Sequence, residues 1–268
     1  TPDFAHTDIA LAAIAAGKDV LVEKPLATTS ADCWRVIDAA KTAGVKLMVD
    51  FHNRWSPPFC SAKASIDQGE VGPVRFISYR LNDTIYVPTR MLSWAGKSTV
   101  AWFIGSHSLD TVTWLIGDKV KNLYAVSKSV VLKGRGINTP DFYAVTLEFQ
   151  NGAVATVENC WILPESLPNI FDLKCEIVGS EGAFFIDGSS FRMIEKYSAG
   201  KCLYPDVLVM PELRGKQMGF AAESIRHFID CVVDNTEPAV TGEDGLRVTE
   251  LIEAIERSTS AGQRVDLT

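Results

Sequence analysis

The stretch "VLVEKPLA", residues 20–27, decides how the chain is read. Three apolar residues that suit a buried strand run straight into a carboxylate, an amine and an imide: Glu23, Lys24 and Pro25. Before it, "HTDIALAAIAAGK" (6–18) is alanine-rich, places Ile9, Ala13 and Ala16 near helical spacing, and stops at Gly17. After it, "TTSADCWRVIDAAKTAG" (28–44) opens with hydroxyl caps, carries Trp34, Ile37 and Ala40 on one stripe, and ends at Gly44. "VKLMVDF" (45–51) is then a second buried strand. Strand, helix and strand in this order predict a βαβ unit with a right-handed crossover and a parallel sheet. Ligands of open parallel sheets bind at the carboxyl ends of the strands, and Glu23-Lys24-Pro25 is such an end.

The texture changes after "NRWSPP" (53–58), which puts a boundary near Asp50 to Pro57. A helix from about Phe59 to Gln68 leads into the strand "GPVRFISYRL", and "STVAWFIGSHSLDTVTWLIG" (98–117) reads as a helix of several turns. Strand signals follow in "VKNLYAVSKSVV", "DFYAVTLEF", "AVATVENCWI", "FDLKCEIVG" and "AFFID", with tight turns at 150–152 and 179–182. Two helices, "FAAESIRHFIDCVVDN" and "GLRVTELIEAIERSTSAG", close the chain. The second part is therefore an antiparallel or mixed sheet with helices. Alternating apolar positions leave one face of that sheet to be covered by helices or by a partner.

Composition narrows the function. With 268 residues, 47% hydrophobic and 22% charged, the chain can bury a substantial core. Its net charge of −7, with both signs interspersed, argues against a nucleic-acid partner. No apolar run reaches membrane-spanning length. The six cysteines are scattered, without C-x-x-C or zinc spacing, which points to free thiols in a reducing cytoplasm and to no metal site. "GRGINTP" (134–140) is a turn rather than a phosphate loop, because no helix opens after it; G-x-G-x-x-G and H-E-x-x-H are both absent.

Lysines are mostly solvated surface residues, but an amine at a strand's carboxyl end can pin a substrate hydroxyl and favour a developing alkoxide. His107 and Asp110, three apart in "GSHSLD", share a helix face, so the carboxylate can orient the imidazole as a general base. A histidine satisfied in a helix–helix contact fits that spacing equally well. Gly105 permits a close approach to that helix. His6 precedes a helix and reads first as its cap, and His227 reads as structural. His52, Asn53 and Arg54 follow the second strand on the ligand side, where an exposed loop arginine is the plainer alternative.

These landmarks together resemble one family. "TPDFAHTDIALAAIAAGKDVLVEKPLA" (1–27), "NRW-x-P", "GSHSLD", "GSEG" (179–182) and "EPAVTGEDGLRVTELIEAIERSTSAGQRV" (237–265) occur in the order typical of the glucose–fructose oxidoreductase, inositol dehydrogenase and MocA (Gfo/Idh/MocA) family. The resemblance implies an α/β fold. Residues 1–52 would be the C-terminal part of a Rossmann-like parallel sheet that binds NAD or NADP. Residues 53–268 would form a larger α+β domain for substrate binding and oligomerisation, with an open, mostly antiparallel sheet flanked by helices, the last of which can pack back on the first domain. It implies hydride transfer between the nicotinamide and a hydroxyl carbon of a sugar, inositol or related polyol, in a homo-oligomer assembled through the open sheet. Carried onto this sequence, Lys24 and His107 would be catalytic. Thr1, Pro2, His6, Glu23, Lys24 and Arg54 would line the cofactor, and Lys24, Arg54, Phe103, His107 and Asp110 the substrate.

Two departures qualify this expectation. Phe103 stands where the family often carries an aspartate, one helical turn before the histidine. A phenylalanine there accepts no sugar hydroxyl and leaves the lysine untuned, which suits a less polar or ring-shaped substrate. The family's G-x-G-x-x-G turn belongs upstream of Thr1, so the chain is expected to be a truncated form of a longer enzyme lacking roughly two βαβ units. The competing expectations are a non-catalytic module that self-associates through its sheet and, with little support, a lyase or hydrolase of the same fold.

Overall fold

The βαβ unit forms where the apolar runs predict it. The structure is a computed structural model that describes residues 1–189 and 193–267. A 3-10 turn (Asp3–Ala5) leads into helix α1 (His6–Ala15), strand β1 (Val20–Val22), helix α2 (Ser30–Ala43) and strand β2 (Leu47–Val49). β1 and β2 pair in parallel, with Val22 opposite Val49. Thr29 caps α2 by accepting the Asp32 N–H, and Gly44 closes it in the left-handed conformation at φ 66°.

The buried stripes differ from those expected. α1 buries His6, Thr7, Ala10 and Ile14 and leaves Ile9 55% exposed, while α2 buries Cys33, Val36, Ile37 and Ala40 and leaves Trp34 46% exposed. An alanine-rich helix is apolar on every side, so spacing alone does not choose its inner face. That face is chosen by what it meets, and α1 meets α2 and β1.

The second part opens with α3 (Pro57–Asp67), begun by a proline whose missing N–H would be unpaired there anyway. β3 (Val74–Asp83) follows, and then a run of short turns. The expected long helix is a π-helical turn (Ala101–Gly105) continued by α4 (Ser106–Ile116). β4 (Val120–Lys128), β5 (Phe142–Phe149), β6 (Val154–Cys160), β7 (Phe171–Gly179) and β8 (Ala183–Asp187) coincide with the strand signals. Two small hairpins without a clear sequence signal come next: β9 (Lys196–Ser198) with β10 (Lys201–Leu203), and β11 (Glu212–Leu213) with β12 (Lys216–Gln217). Helices α5 (Phe220–Val233) and α6 (Gly242–Ala261) and strand β13 (Val265–Asp266) complete the chain.

The large sheet runs β13-β4-β5-β6-β3-β7-β8, antiparallel at every pairing except β3 with β6. Tyr143, Val145, Leu147 and Phe149 of β5 alternate into the core, on the side where α4 and α6 pack. The other face is open, with exposed Tyr124, Val126 and Phe185 beside the Arg80–Asp172 and Lys174–Asp187 ion pairs.

Helix α6 joins the two parts at close range. A capping box of Thr241 and Asp244 starts it. Its Gly245 then lies so near the β1 and β2 ends that a Cβ there would sit 2.8 Å from Leu26 Cβ and 2.9 Å from Val49 Cγ2. Gly245→Ala is therefore expected to cost about 1–3 kcal/mol through overpacking, measured by urea denaturation. A loss under about 0.5 kcal/mol would mean that α6 is not held against Leu26.

Candidate active site

At the carboxyl end of β1 the backbone turns through Glu23, Lys24 and a cis Lys24–Pro25 bond. His6 fixes that turn: its Nδ1 lies 2.7 Å from the Pro25 carbonyl, which can only accept, so Nδ1 carries the proton. Its Nε2 lies 3.3 Å from the Thr1 carbonyl. The expectation that His6 caps α1 is corrected, since Ala5 holds the cap position with no side-chain bond.

The Lys24 ammonium is enclosed. It donates to the Phe103 carbonyl in the π-helical turn and stands 4.5 Å from the centre of the Phe103 ring. Burial pulls its pKa below the ordinary lysine value, against the pull of Glu23, Asp83, Asp3 and Asp50. A cavity of about 400 Å³ opens beside it, lined by Thr1, Pro2, His6, Glu23, Lys24 and Phe103 together with Asp3, Pro25, Leu92 and Trp94. Phe103 thus does touch the lysine, through both its carbonyl and its ring, contrary to the expectation that a phenylalanine leaves it untuned.

His107 occupies the first turn of α4, 7% exposed, and its Nδ1 has no hydrogen-bond partner. Burial, then the charges of Lys24 and His52, hold its pKa well below the usual histidine value, so the imidazole is neutral at pH 7. The His52 ring lies 4.6 Å away between centres. A second cavity, of about 150 Å³, is lined by His52, Asn53, Asp83 and His107 and by apolar Leu81, Ile104, Leu173 and Phe220. Lys24 and His107 therefore line different cavities. The two are adjacent: Phe103 borders one and Ile104 the other, and the Lys24 charge acts on both His107 and Asp83.

Arg54 and Asp110 line neither cavity. The Arg54 guanidinium grips Asp110 with two bonds, Nε to Oδ2 at 3.0 Å and Nη2 to Oδ1 at 2.6 Å, and reaches Asp244 at 3.2 Å. Each Asp110 oxygen accepts a bond from that arginine while His107 Nδ1 has no partner, so Asp110 does not orient His107 as its spacing predicts. Gly105 makes room for protein: a Cβ there would meet Asn159 Oδ1 at 3.1 Å. His227 is structural as expected, accepting the Ala239 N–H at 2.9 Å and packing on Trp55.

Sequence reasoning missed Asp50 and Asp83. Asp50 follows β2 directly, takes the Ser224 hydroxyl at 2.5 Å and faces His52 at 3.8 Å. The strand-end rule that singled out Lys24 would have found it. Asp83, the last residue of β3, is buried, and burial pushes its carboxyl up to about 7 against the opposing pull of Lys24. A lone carboxylate ending an apolar strand was its only signal.

Among the described residues no helix is long and apolar enough to cross a membrane. Comparison with known proteins agrees along the whole chain. Residues 1–51 match the oxidoreductase family's NAD-binding Rossmann fold, and residues 63–267 its C-terminal alpha/beta domain. The scyllo-inositol 2-dehydrogenase (NAD(+)) of Bacillus subtilis is 26% identical over 100% of this chain and 76% of its own. The myo-inositol 2-dehydrogenase of Thermotoga maritima is 26% identical over 98% and 76%. Among solved structures, the aldose-aldose oxidoreductase of Caulobacter crescentus, complexed with glycerol, superposes with a TM-score of 0.80 at 28% identity, over 100% of this chain and 77% of that one. With both family domains matched in order along the sequence, the chain belongs to the Gfo/Idh/MocA oxidoreductase family.

Proposed function

We propose that the protein transfers a hydride between NAD or NADP and a hydroxyl carbon of a sugar, inositol or related polyol. The observation that carries this reading is an enclosed lysine ammonium within electrostatic reach of a neutral, buried histidine whose Nδ1 is unpartnered. The unpartnered Nδ1 takes the proton of the substrate hydroxyl. The ammonium of Lys24 stabilises the alkoxide oxygen as it forms. Burial in apolar surroundings keeps water from competing for either group.

The residues beside Lys24 suit the nicotinamide end of a dinucleotide. Trp94 and Phe103 give the cavity flat walls, and Thr1, Pro2, His6 and Glu23 give it a polar edge. Nicotinamide bound there would accept the hydride leaving the hydroxyl carbon. The ribose and phosphate contacts of the family belong to its G-x-G-x-x-G turn, a motif this sequence does not contain.

A non-catalytic site is the second reading, and the capture of the Lys24 ammonium by the Phe103 carbonyl favours it. One experiment separates the two. NADH and NADPH are titrated by nicotinamide fluorescence, and oxidation of myo-inositol, scyllo-inositol and D-glucose, with NAD+ or NADP+ as the hydride acceptor, is assayed with wild type and Lys24→Met. The dehydrogenase reading expects saturable cofactor binding, and a loss of kcat/KM of about 100- to 1,000-fold in the variant. The variant should melt no lower than wild type, because a buried amine has been removed. Activity retained within about tenfold would end the catalytic assignment of Lys24.

A further inference from the structure

Two residues that line the 150 Å³ cavity each carry a buried polar atom without a hydrogen-bond partner: His107 Nδ1 and Asp83 Oδ2. A native fold rarely leaves a buried acceptor empty, and an empty carboxylate oxygen is among the costlier exceptions. Asp83 has no structural reason to be charged here. Among the described residues no ion pair joins it to Lys24 or to any other cation, and Lys24 acts on it only through space. Nor is it a loop residue free to turn away. β3 holds its backbone opposite Phe171, and its carbonyl accepts the Leu163 N–H at 3.2 Å. The side chain is therefore delivered to the cavity by a fixed strand end, as a preorganised ligand group is.

We infer that Asp83 is a substrate-binding carboxylate of this site, accepting the hydroxyl next to the one that His107 deprotonates. The inference rests on the polyol reading above. It places two unpartnered acceptors in residues that line one cavity, which suits a substrate with adjacent hydroxyls. It also answers the absence of a carboxylate at position 103 with one from a different element: β3 in place of the helix. The apolar remainder of the cavity, Leu81, Ile104, Leu173 and Phe220, would face the carbon skeleton of the ring.

Asp83→Asn and Asp83→Ala test the assignment in the full chain. With myo-inositol, KM is expected to rise about 10- to 100-fold, with a smaller change in kcat and unchanged NADH affinity by fluorescence. Asp83→Asn should melt about 3 °C or more above wild type in the absence of ligand, because a buried carboxyl whose ionised form has no partner is replaced by a neutral amide. A KM within about twofold of wild type, or an Asp83→Asn protein that melts clearly lower, would overturn the assignment; the second result would make Asp83 structural. If wild type turns over none of myo-inositol, scyllo-inositol and D-glucose with either cofactor, the polyol reading itself has failed. The melting comparison then judges Asp83 alone: a higher Tm keeps it as a ligand-holding group, and a lower one removes it.

Discussion

Arg54→Ala is expected to destabilise the protein by about 3–5 kcal/mol and to lower its Tm by about 10 °C. The Arg54 side chain is 10% exposed and its partner Asp110 only 1%, so the substitution leaves a charge with neither water nor a partner. Burial draws the arginine pKa down, yet the charge and bonds of Asp110 and Asp244 lift it above its ordinary value. On the other side burial prevails, and the Asp110 carboxyl is pushed up to about 6 even with the arginine in place. The two shifts do not mirror each other, because the guanidinium has two carboxylates and the more deeply buried carboxylate has one guanidinium. Without the arginine the Asp110 pKa rises further. The loss should therefore be larger at pH 8, where the orphaned carboxylate is charged, than at pH 5, where it takes up a proton. Arg54→Lys keeps the charge and loses the fork, so it should recover only part of the stability. Urea denaturation at the two pH values measures this. An Arg54→Ala protein with unchanged stability and a raised polyol KM would restore the substrate-contact role that the family resemblance implies.

That arginine also shows what could and could not be read from the sequence. The βαβ unit, six strands of the large sheet and both terminal helices were legible because each is a local pattern: an apolar run or stripe closed by glycine, asparagine or a hydroxyl cap. Lys24 was legible because a strand end in a parallel sheet has a fixed meaning. Asp110 was misassigned because helical spacing placed it with His107, three residues away, while its actual partner lies 56 residues back in the chain. The same limit hid Asp83, whose nearness to His107 exists only once β3 lies against the π-helical turn and α4. Ile9 and Trp34 fail for a different reason. On the alanine-rich α1 the period is nearly flat, so tertiary packing chooses the inner face; α2 has a clear polar side, and there Cys33, Val36, Ile37 and Ala40 make up the buried stripe without Trp34.

His107→Gln should lower kcat by about 100- to 10,000-fold with myo-inositol, the range for loss of a positioned acid–base group. Its more specific signature lies in pH dependence. In wild type the base must be neutral and the lysine charged. His107 has a folded pKa well below the usual value, so the acid limb of kcat/KM should fall below about pH 6.5. Lys24 is shifted down by burial, which places the basic limb below the ordinary lysine pKa of about 10.5. In His107→Gln the acid limb should vanish from the residual rate while the basic limb stays. Stability carries the same information independently of turnover. The unfolded chain protonates this histidine near pH 6.5 and the folded chain refuses the proton. Wild type therefore keeps its full stability above that pH and loses part of it as pH falls toward the folded pKa. Glutamine does not titrate, so the variant's Tm should decline less between pH 7 and pH 5 than wild type's. Two parallel Tm–pH curves would mean that His107 takes up a proton in the folded protein as readily as in the unfolded one. An imidazole that does so at neutral pH could not serve as the buried neutral base this site requires.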